Sequence, residues 1–519
     1  MKREEERKKK IKKIKTLIYG RTLIVLLAFV AQFAFMYVSF LWLREYSYIV
    51  YGLFAVVSAI VVLHLFNAKG TPDLKLVWML PISIFPVFGA LFYLYITAQV
   101  DTRVLQKRLR MLFGHTQQYI VQDPEVKRKL ITEDVHTGKF ADYMLACDNS
   151  PVYGNTQITY YPLGDDQFPD ILEELKRAEK FIFLEFFIVE EGCMWEAILD
   201  ILKEKAKAGV EVRFMYDGMC SLYLLPNFYP KIMEREGIKC KVFSPIKPVF
   251  SSRYNNRDHR KILVIDGKVA FTGGTNLADE YINRKVRFGH WKDTAIRLRG
   301  AAAERFTYMF LEMWNVSERK AEDYAKYKAP LCEETSGDGY VIPYSANPYG
   351  EERVGKRVYL DILNTAKQYV HIMTPYLILD YEMIKALTYA AKRGVEILII
   401  MPHIPDKRYA FILAKTYYIE LLEAGVRIYE YTPGFVHAKV FVSDDEKAVV
   451  GSLNLDYRSL YHHFECAAFL YRNSEIPVIK QDFEETLKQC REVSVEDYKK
   501  QKLWVRLAGK CLRMLSPLM

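Results

Sequence analysis

His259-Arg260-Lys261-Ile262-Leu263-Val264-Ile265-Asp266 and His437-Ala438-Lys439-Val440-Phe441-Val442-Ser443-Asp444 are two copies of one pattern, and their reading decides the fold. On a strand, side chains alternate faces, so a histidine and the lysine two residues on share one face about 7 Å apart. A continuous strand is therefore expected from Arg257 to Asp266 and again from Phe435 to Asp444. Ten residues beyond each Asp stands an Asn, reached through Gly273-Gly274-Thr275-Asn276 in one copy and Gly451-Ser452-Leu453-Asn454 in the other. Every offset from His to Asn agrees between the copies.

Working outward, the flanking segments repeat as well. An apolar run at 181–184, a helix from about Trp195 to Ala208 and the strand start Gly209-Val210-Glu211-Val212 recur as 369–372, a helix from about Tyr381 to Arg393 and Gly394-Val395-Glu396-Ile397. Strands alternating with helices of this length predict two α/β sandwich halves, at 155–335 and 336–498. The turn-rich stretch from Ser317 to Glu352 marks the boundary between them. Each motif strand is expected to enter a hairpin, turned at Asp266-Gly267 and at Asp444-Asp445.

The N-terminal part reads differently. Three hydrophobic segments, 22–43, 48–66 and 76–96, make 22–99 a membrane region, with Pro81, Pro86 and Gly89 interrupting the third. A basic tail at 1–21 precedes them, a helical connector spans 100–154, and a basic amphipathic helix is expected at 499–519. The tail carries ten Lys or Arg and three Glu, which leaves 63 basic and 60 acidic residues elsewhere in a chain of net charge +10. That near balance argues against a nucleic-acid partner. Eight cysteines without a paired spacing predict neither a disulfide framework nor a metal site.

A lone histidine on a strand is most often structural. Two copies, each with a lysine on its face, point to phosphate chemistry. An ammonium binds phosphate oxygens, one imidazole can attack phosphorus, and a second can protonate the leaving oxygen. Neither half holds both roles, so the site is expected between the halves, with no metal and no cofactor required.

The doubled pattern resembles the phospholipase D superfamily. Together with Trp78-Met79-Leu80-Pro81, Asp279-Glu280-Tyr281, Trp291-Lys292-Asp293, Thr374-Pro375-Tyr376 and Asp456, Arg458, Ser459, Phe464 and Glu465, it resembles the bacterial cardiolipin synthases from about Tyr48 onward. The first hydrophobic segment departs from that pattern, as does His463 where an Asn usually precedes Phe-Glu. The resemblance implies a membrane enzyme moving a phosphatidyl group between two phosphatidylglycerol molecules through a phosphohistidine. It implies His259 as nucleophile and His437 as general acid and then base. It also implies that Lys261, Lys439, Asn276, Asn454 and Ser452 hold phosphate, and that Asp293 and Glu465 orient the imidazoles. Asp266 and Asp444 complete the motifs and are expected to brace the turns. A phospholipase D-type hydrolase or a phosphatidylserine synthase would use the same histidines, and a non-catalytic membrane scaffold is the reading of another class.

Overall fold

Apolar strands covered on both faces build two sheets whose strand orders match. The computed structural model describes residues 30, 34, 37–38, 41, 46–68, 70–97, 100–246, 252–328 and 337–518. It divides into two compact units, Met1–Val104 with Ile246–Tyr254 and Leu518, and Leu105–Pro245 with Asn255–Pro517 and Met519.

The larger unit holds both halves. Its first sheet contains β1 (Thr156–Tyr161), β2 (Phe181–Phe186), β3 (Glu211–Asp217), β4 (Lys239–Phe243), β5 (Lys261–Ile265), β6 (Val269–Gly273) and β8 (Ala295–Gly300). β7 (His290–Lys292) stands apart from it. The second sheet contains β9 (Tyr340–Ala346), β10 (Tyr369–Met373), β11 (Glu396–Pro402), β12 (Arg427–Tyr431), β14 (Val440–Ser443), β15 (Lys447–Gly451), β16 (Glu465–Tyr471) and β17 (Cys490–Glu492), and β13 (Gly434–Val436) stands apart. The first order is β1-β8-β6-β5-β2-β3-β4; the second, read from its far edge, is β9-β16-β15-β14-β10-β11-β12, with β17 added. The repeat seen in the sequence is thus a repeat of topology.

The two sheets bury their facing sides together. Ile262, Val264 and Leu298 of one half share a core with Val440, Val442, Val450 and Leu470 of the other. Helices Gly164–Arg177 and Cys193–Lys207 cover the outer face of the first sheet, and helices Val354–Thr365, Tyr381–Lys392 and Arg408–Glu423 that of the second. The helices expected from Trp195 to Ala208 and from Tyr381 to Arg393 lie within two residues of the observed ends, whereas that expected at 499–519 is observed as Leu503–Met514.

Both hairpins turn as their sequences require. Asp266 and Gly267 have φ of 54° and 68°, and Asp444 and Asp445 have 55° and 57°. Positive φ at both central positions is the turn whose twist matches the flanking strands. Asp266 accepts backbone N–H bonds from Glu179, Lys180 and Phe181 at 2.9, 2.7 and 2.8 Å. Asp444 accepts the equivalent three from Lys367, Gln368 and Tyr369 at 2.7, 2.9 and 2.9 Å. Each aspartate pins the start of a neighbouring strand to the turn.

The expected continuous motif strand is corrected. β5 begins at Lys261 and β14 at Val440, so both histidines precede their strands. The reason is that the preceding backbone pairs with the opposite half. Phe435 and Val436 of β13 run parallel to Trp291 and Lys292 of β7, and Asp258 bridges Phe464 in parallel. His259 N donates to Phe464 O at 2.9 Å, and His437 N to Lys292 O at 2.7 Å.

In the smaller unit, helices Ser47–Asn67, Pro72–Ile84 and Pro86–Thr97 pack around Val61, Leu65, Ile82, Ala90 and Tyr93. The third hydrophobic run is broken at Phe85, and a side chain at Gly89 would lie 2.4 Å from Pro81 O, so only glycine permits that approach. Among the described residues no helix is long and apolar enough to cross a membrane. The basic tail lies outside the described residues, as does nearly all of segment 22–43. In the larger unit, helix Leu503–Met514 packs on helix Arg408–Glu423 with Gly509 against Thr416, leaving Leu503, Trp504, Leu507 and Met514 exposed.

Candidate active site between the two halves

The backbone pairings that carry the histidines across also fix their partners. His259 Nδ1 lies 2.9 Å from Oε2 of Glu465, which begins β16 of the second half. His437 Nδ1 lies 2.6 Å from Oδ2 of Asp293, which follows β7 of the first half. Each imidazole is thus braced by the carboxylate of the other half. A carboxylate on Nδ1 holds the proton there and leaves the Nε2 lone pair free.

Glu465 is held in turn by Ser459 Oγ, which donates to Oε1 at 2.7 Å, and by Ser452 Oγ, which donates to Oε2. Asp293 accepts the N–H of Thr294 at 2.9 Å on Oδ1 and faces the indole N–H of Trp291 at 3.5 Å. Gly274, the counterpart of Ser452, leaves room for Asp293, because a Cβ there would stand 2.0 Å from Asp293 Oδ1. Around His437 lie Tyr281, Trp291 and Phe435, with ring centroids at 5.5, 5.4 and 5.9 Å. Around His259 lie Phe187 at 4.9 Å and His463 at 5.5 Å.

Both lysines are buried beside their histidines, each ammonium donating to the carbonyl of its own motif histidine. Burial pushes Lys261 down to about 8 and Lys439 to about 7, against the pull of Glu465 and Asp293 respectively. Burial also lowers His437 to about 4, with Lys439 adding to the effect, and holds His259 well below the usual imidazole range. Lys261, Lys439 and His437 all contribute to the lowering at His259. Charges from both halves therefore act on one volume.

The other predicted site residues fall into distinct places. Asn276 accepts from Ile188 N at 3.0 Å and donates to Tyr281 Oη at 2.9 Å. Ser452 likewise bonds to Glu465 and to Cys466. Both therefore also tie the scaffold together. Asn454 retains an unpartnered, buried Oδ1 and is 3.4 Å from Asp456. Asp266 and Asp444 sit at the hairpin turns described above. A cavity of about 320 Å³ has Arg260, Glu312 and Phe464 in its lining. Ser459, Tyr281 and the aromatic wall around His437 were not singled out as site residues from the sequence. Ser459, Tyr281 and Trp291 had entered only as residues of the family resemblance.

Comparison with known proteins agrees with this architecture. The family described as "Cardiolipin synthase, PLD-like domain" matches residues 171–314 and 359–487, one stretch in each half. A cardiolipin synthase of Alkalihalophilus pseudofirmus is 33% identical over 507 residues, covering 95% of this chain and 99% of that protein. An uncharacterized protein of Streptococcus mutans is 51% identical over 458 residues, covering 88% of this chain and 99% of that protein. Among solved structures, phosphatidylserine synthase of Haemophilus influenzae aligns with a TM-score of 0.54 at 14% identity, over 73% of this chain and 97% of that one. That last likeness is one of fold.

Proposed function

The chain belongs to the cardiolipin synthase family with its phospholipase D-like domains, and on that premise we propose that it joins two phosphatidylglycerol molecules into cardiolipin and glycerol. The observation that carries this reading is the pair of imidazole–carboxylate couples built across the halves, with an ammonium beside each.

With Nδ1 bonded to Glu465, Nε2 of His259 attacks the phosphorus of the first lipid. The bond to the glycerol oxygen breaks, and His437 supplies the proton that lets glycerol leave. His437 is neutral in the empty site at pH 7, and the arriving phosphodiester anion, with Asp293 behind the ring, raises its affinity for that proton. In the second step the now neutral His437 takes the proton of a second lipid's hydroxyl. That oxygen attacks phosphorus and frees His259. Lys261 and Lys439 neutralise charge on the nonbridging oxygens throughout. Burial and the aromatic wall limit water, which favours the lipid alcohol as acceptor over hydrolysis.

Membrane placement belongs to the same proposal. Helix Ser47–Asn67 turns Leu53, Val56, Ile60, Leu63 and Phe66 outward, each more than half exposed. Such a surface fits contact with lipid, and the charge-free run 22–43 would extend it into a multi-pass anchor in the cell membrane. Extraction of membranes with alkaline carbonate tests the anchor, and release of the chain into the supernatant would remove it.

Purified enzyme given phosphatidylglycerol alone tests the reaction. Cardiolipin and glycerol in equal amounts are expected. Phosphatidic acid without cardiolipin would establish a hydrolase instead, and turnover only on addition of serine to a suitable donor would establish a phosphatidylserine synthase.

A further inference from the structure

His463 has no task in the chemistry above, yet it stands beside it. Its ring is buried at 8% exposure, and neither Nδ1 nor Nε2 has a hydrogen-bond partner. A buried imidazole with two empty positions is costly unless something fills one of them. Its Nδ1 lies 3.8 Å from Oε1 of Glu465, too far for a hydrogen bond, and Glu465 in turn lies 2.9 Å from His259 Nδ1. One ligand atom from each of His259, His463 and Glu465 falls within 4.8 Å of the others.

We propose that these three side chains form an inhibitory site for a divalent transition metal of the zinc type. Zinc bonds to imidazole nitrogen and carboxylate oxygen are about 2.0–2.2 Å, which in a tetrahedron sets neighbouring ligand atoms about 3.3 Å apart. From one oxygen of Glu465, Oε1, the separations are 3.0 Å to His259 Nδ1 and 3.8 Å to His463 Nδ1, on either side of that value. The three ligand atoms, now within 4.8 Å of one another, must draw together to that spacing for the site to close. Two nitrogens and one carboxylate oxygen leave a fourth position for water or a phosphate oxygen.

Binding is a balanced exchange. The metal takes the lone pair of His463, one oxygen of ionised Glu465 and the Nδ1 lone pair of His259, whose proton passes through solvent to Nε2, so no net proton is released. The bound ion removes the carboxylate brace from His259 and withdraws electron density from the ring that would attack phosphorus. The inhibitory consequence rests on the proposed role of His259; the binding itself does not.

Calorimetric titration of metal-free, full-length enzyme with Zn²⁺, and visible absorption after Co²⁺ addition, measure binding without any turnover. One equivalent is expected, with a ligand-field spectrum of low coordination number and no net proton release. His463→Asn should weaken affinity at least about 100-fold, since removing a direct ligand costs no less than removing its supporting groups. His463→Gln serves as the second variant, with circular dichroism confirming that each is folded. Turnover of the wild type should fall in step with zinc occupancy and return with a chelator. Absence of one-equivalent binding, or equal affinity in both folded variants, would overturn the site. Zinc binding intact in a protein that makes no cardiolipin would instead count against the proposed reaction alone.

Discussion

His259 and His437 stand at equivalent places of the two halves, yet the groups behind them differ. Glu465 beside His259 is gripped by two serine hydroxyls, whereas Asp293 beside His437 is set by one backbone amide against an indole and a bare glycine. The longer carboxylate reaches its histidine with freedom to spare and is tied down by side chains. The shorter one is fixed by close backbone contact, and its histidine sits in an aromatic wall. Duplication supplied the symmetry of the scaffold, and neighbouring residues divided the labour.

The sharpest way to break this comparison is to delete each imidazole. His259→Asn and His437→Asn should each lower turnover of phosphatidylglycerol by about 10⁴-fold or more, since nucleophile and proton donor are both lost steps. A phosphatidyl donor with a nitrophenol leaving group separates the roles, because that group departs without a proton. With it, His437→Asn should still accumulate a phosphohistidine, seen as a burst of nitrophenol, and His259→Asn should give none. A burst from His259→Asn alone would reverse the assignment.

The braces come next. Asp293→Asn and Glu465→Gln should each cost about 10²–10³-fold in kcat through loss of the correct tautomer and of support for the imidazolium. Gly274→Ala should cost at least about 10-fold, because its new methyl group would occupy the place of Asp293 Oδ1, 2.0 Å away. Ser452→Ala should be milder, as Ser459 continues to hold Glu465. Steady-state rates of the four variants measure the asymmetry, and equal losses for Gly274→Ala and Ser452→Ala would contradict it.

A pH profile tests the lysines. With Lys439 near 7 and Lys261 near 8 in the empty site, raising the pH deprotonates them and kcat/KM should fall through that range. Bound phosphate favours the ammonium form, so the alkaline fall of kcat should lie at higher pH than that of kcat/KM. Coincident limbs would mean that the lysines do not meet phosphate. The smallest effect on chemistry is expected at the turns. Asp266→Ala and Asp444→Ala each leave three backbone N–H groups without their acceptor and should lower stability by about 2–4 kcal/mol, read as a fall in the denaturation midpoint, while the folded fraction keeps its rate.

Much of the fold was legible because the repeat is written in local patterns. The helix at Cys193–Lys207 and its counterpart at Tyr381–Lys392 follow from apolar periodicity, and the hairpins follow from Asp-Gly and Asp-Asp. The motif strands were drawn too long because alternation continues through His259 and His437, while their backbone partners, Phe464 and Lys292, lie in the other half, far away in sequence. Lys261 and Lys439 were readable from spacing alone. Which carboxylate serves which histidine was not, since that depends on how the halves dock. Asn276 and Ser452 have the right chemistry for phosphate, and only three-dimensional packing reveals the hydrogen bonds they also make to Ile188, Tyr281 and Glu465. The break at Phe85 was foreshadowed by Pro81, Pro86 and Gly89, although proline alone does not say how sharply a helix turns.

The exchange of carboxylates between halves has a consequence for how the enzyme can fail. Any opening of the seam detaches both imidazoles from their anchors at once, so no partly open form retains one competent histidine. Such a catalyst goes quiet as a whole when strained, instead of degrading into one that captures a lipid and cannot complete the transfer.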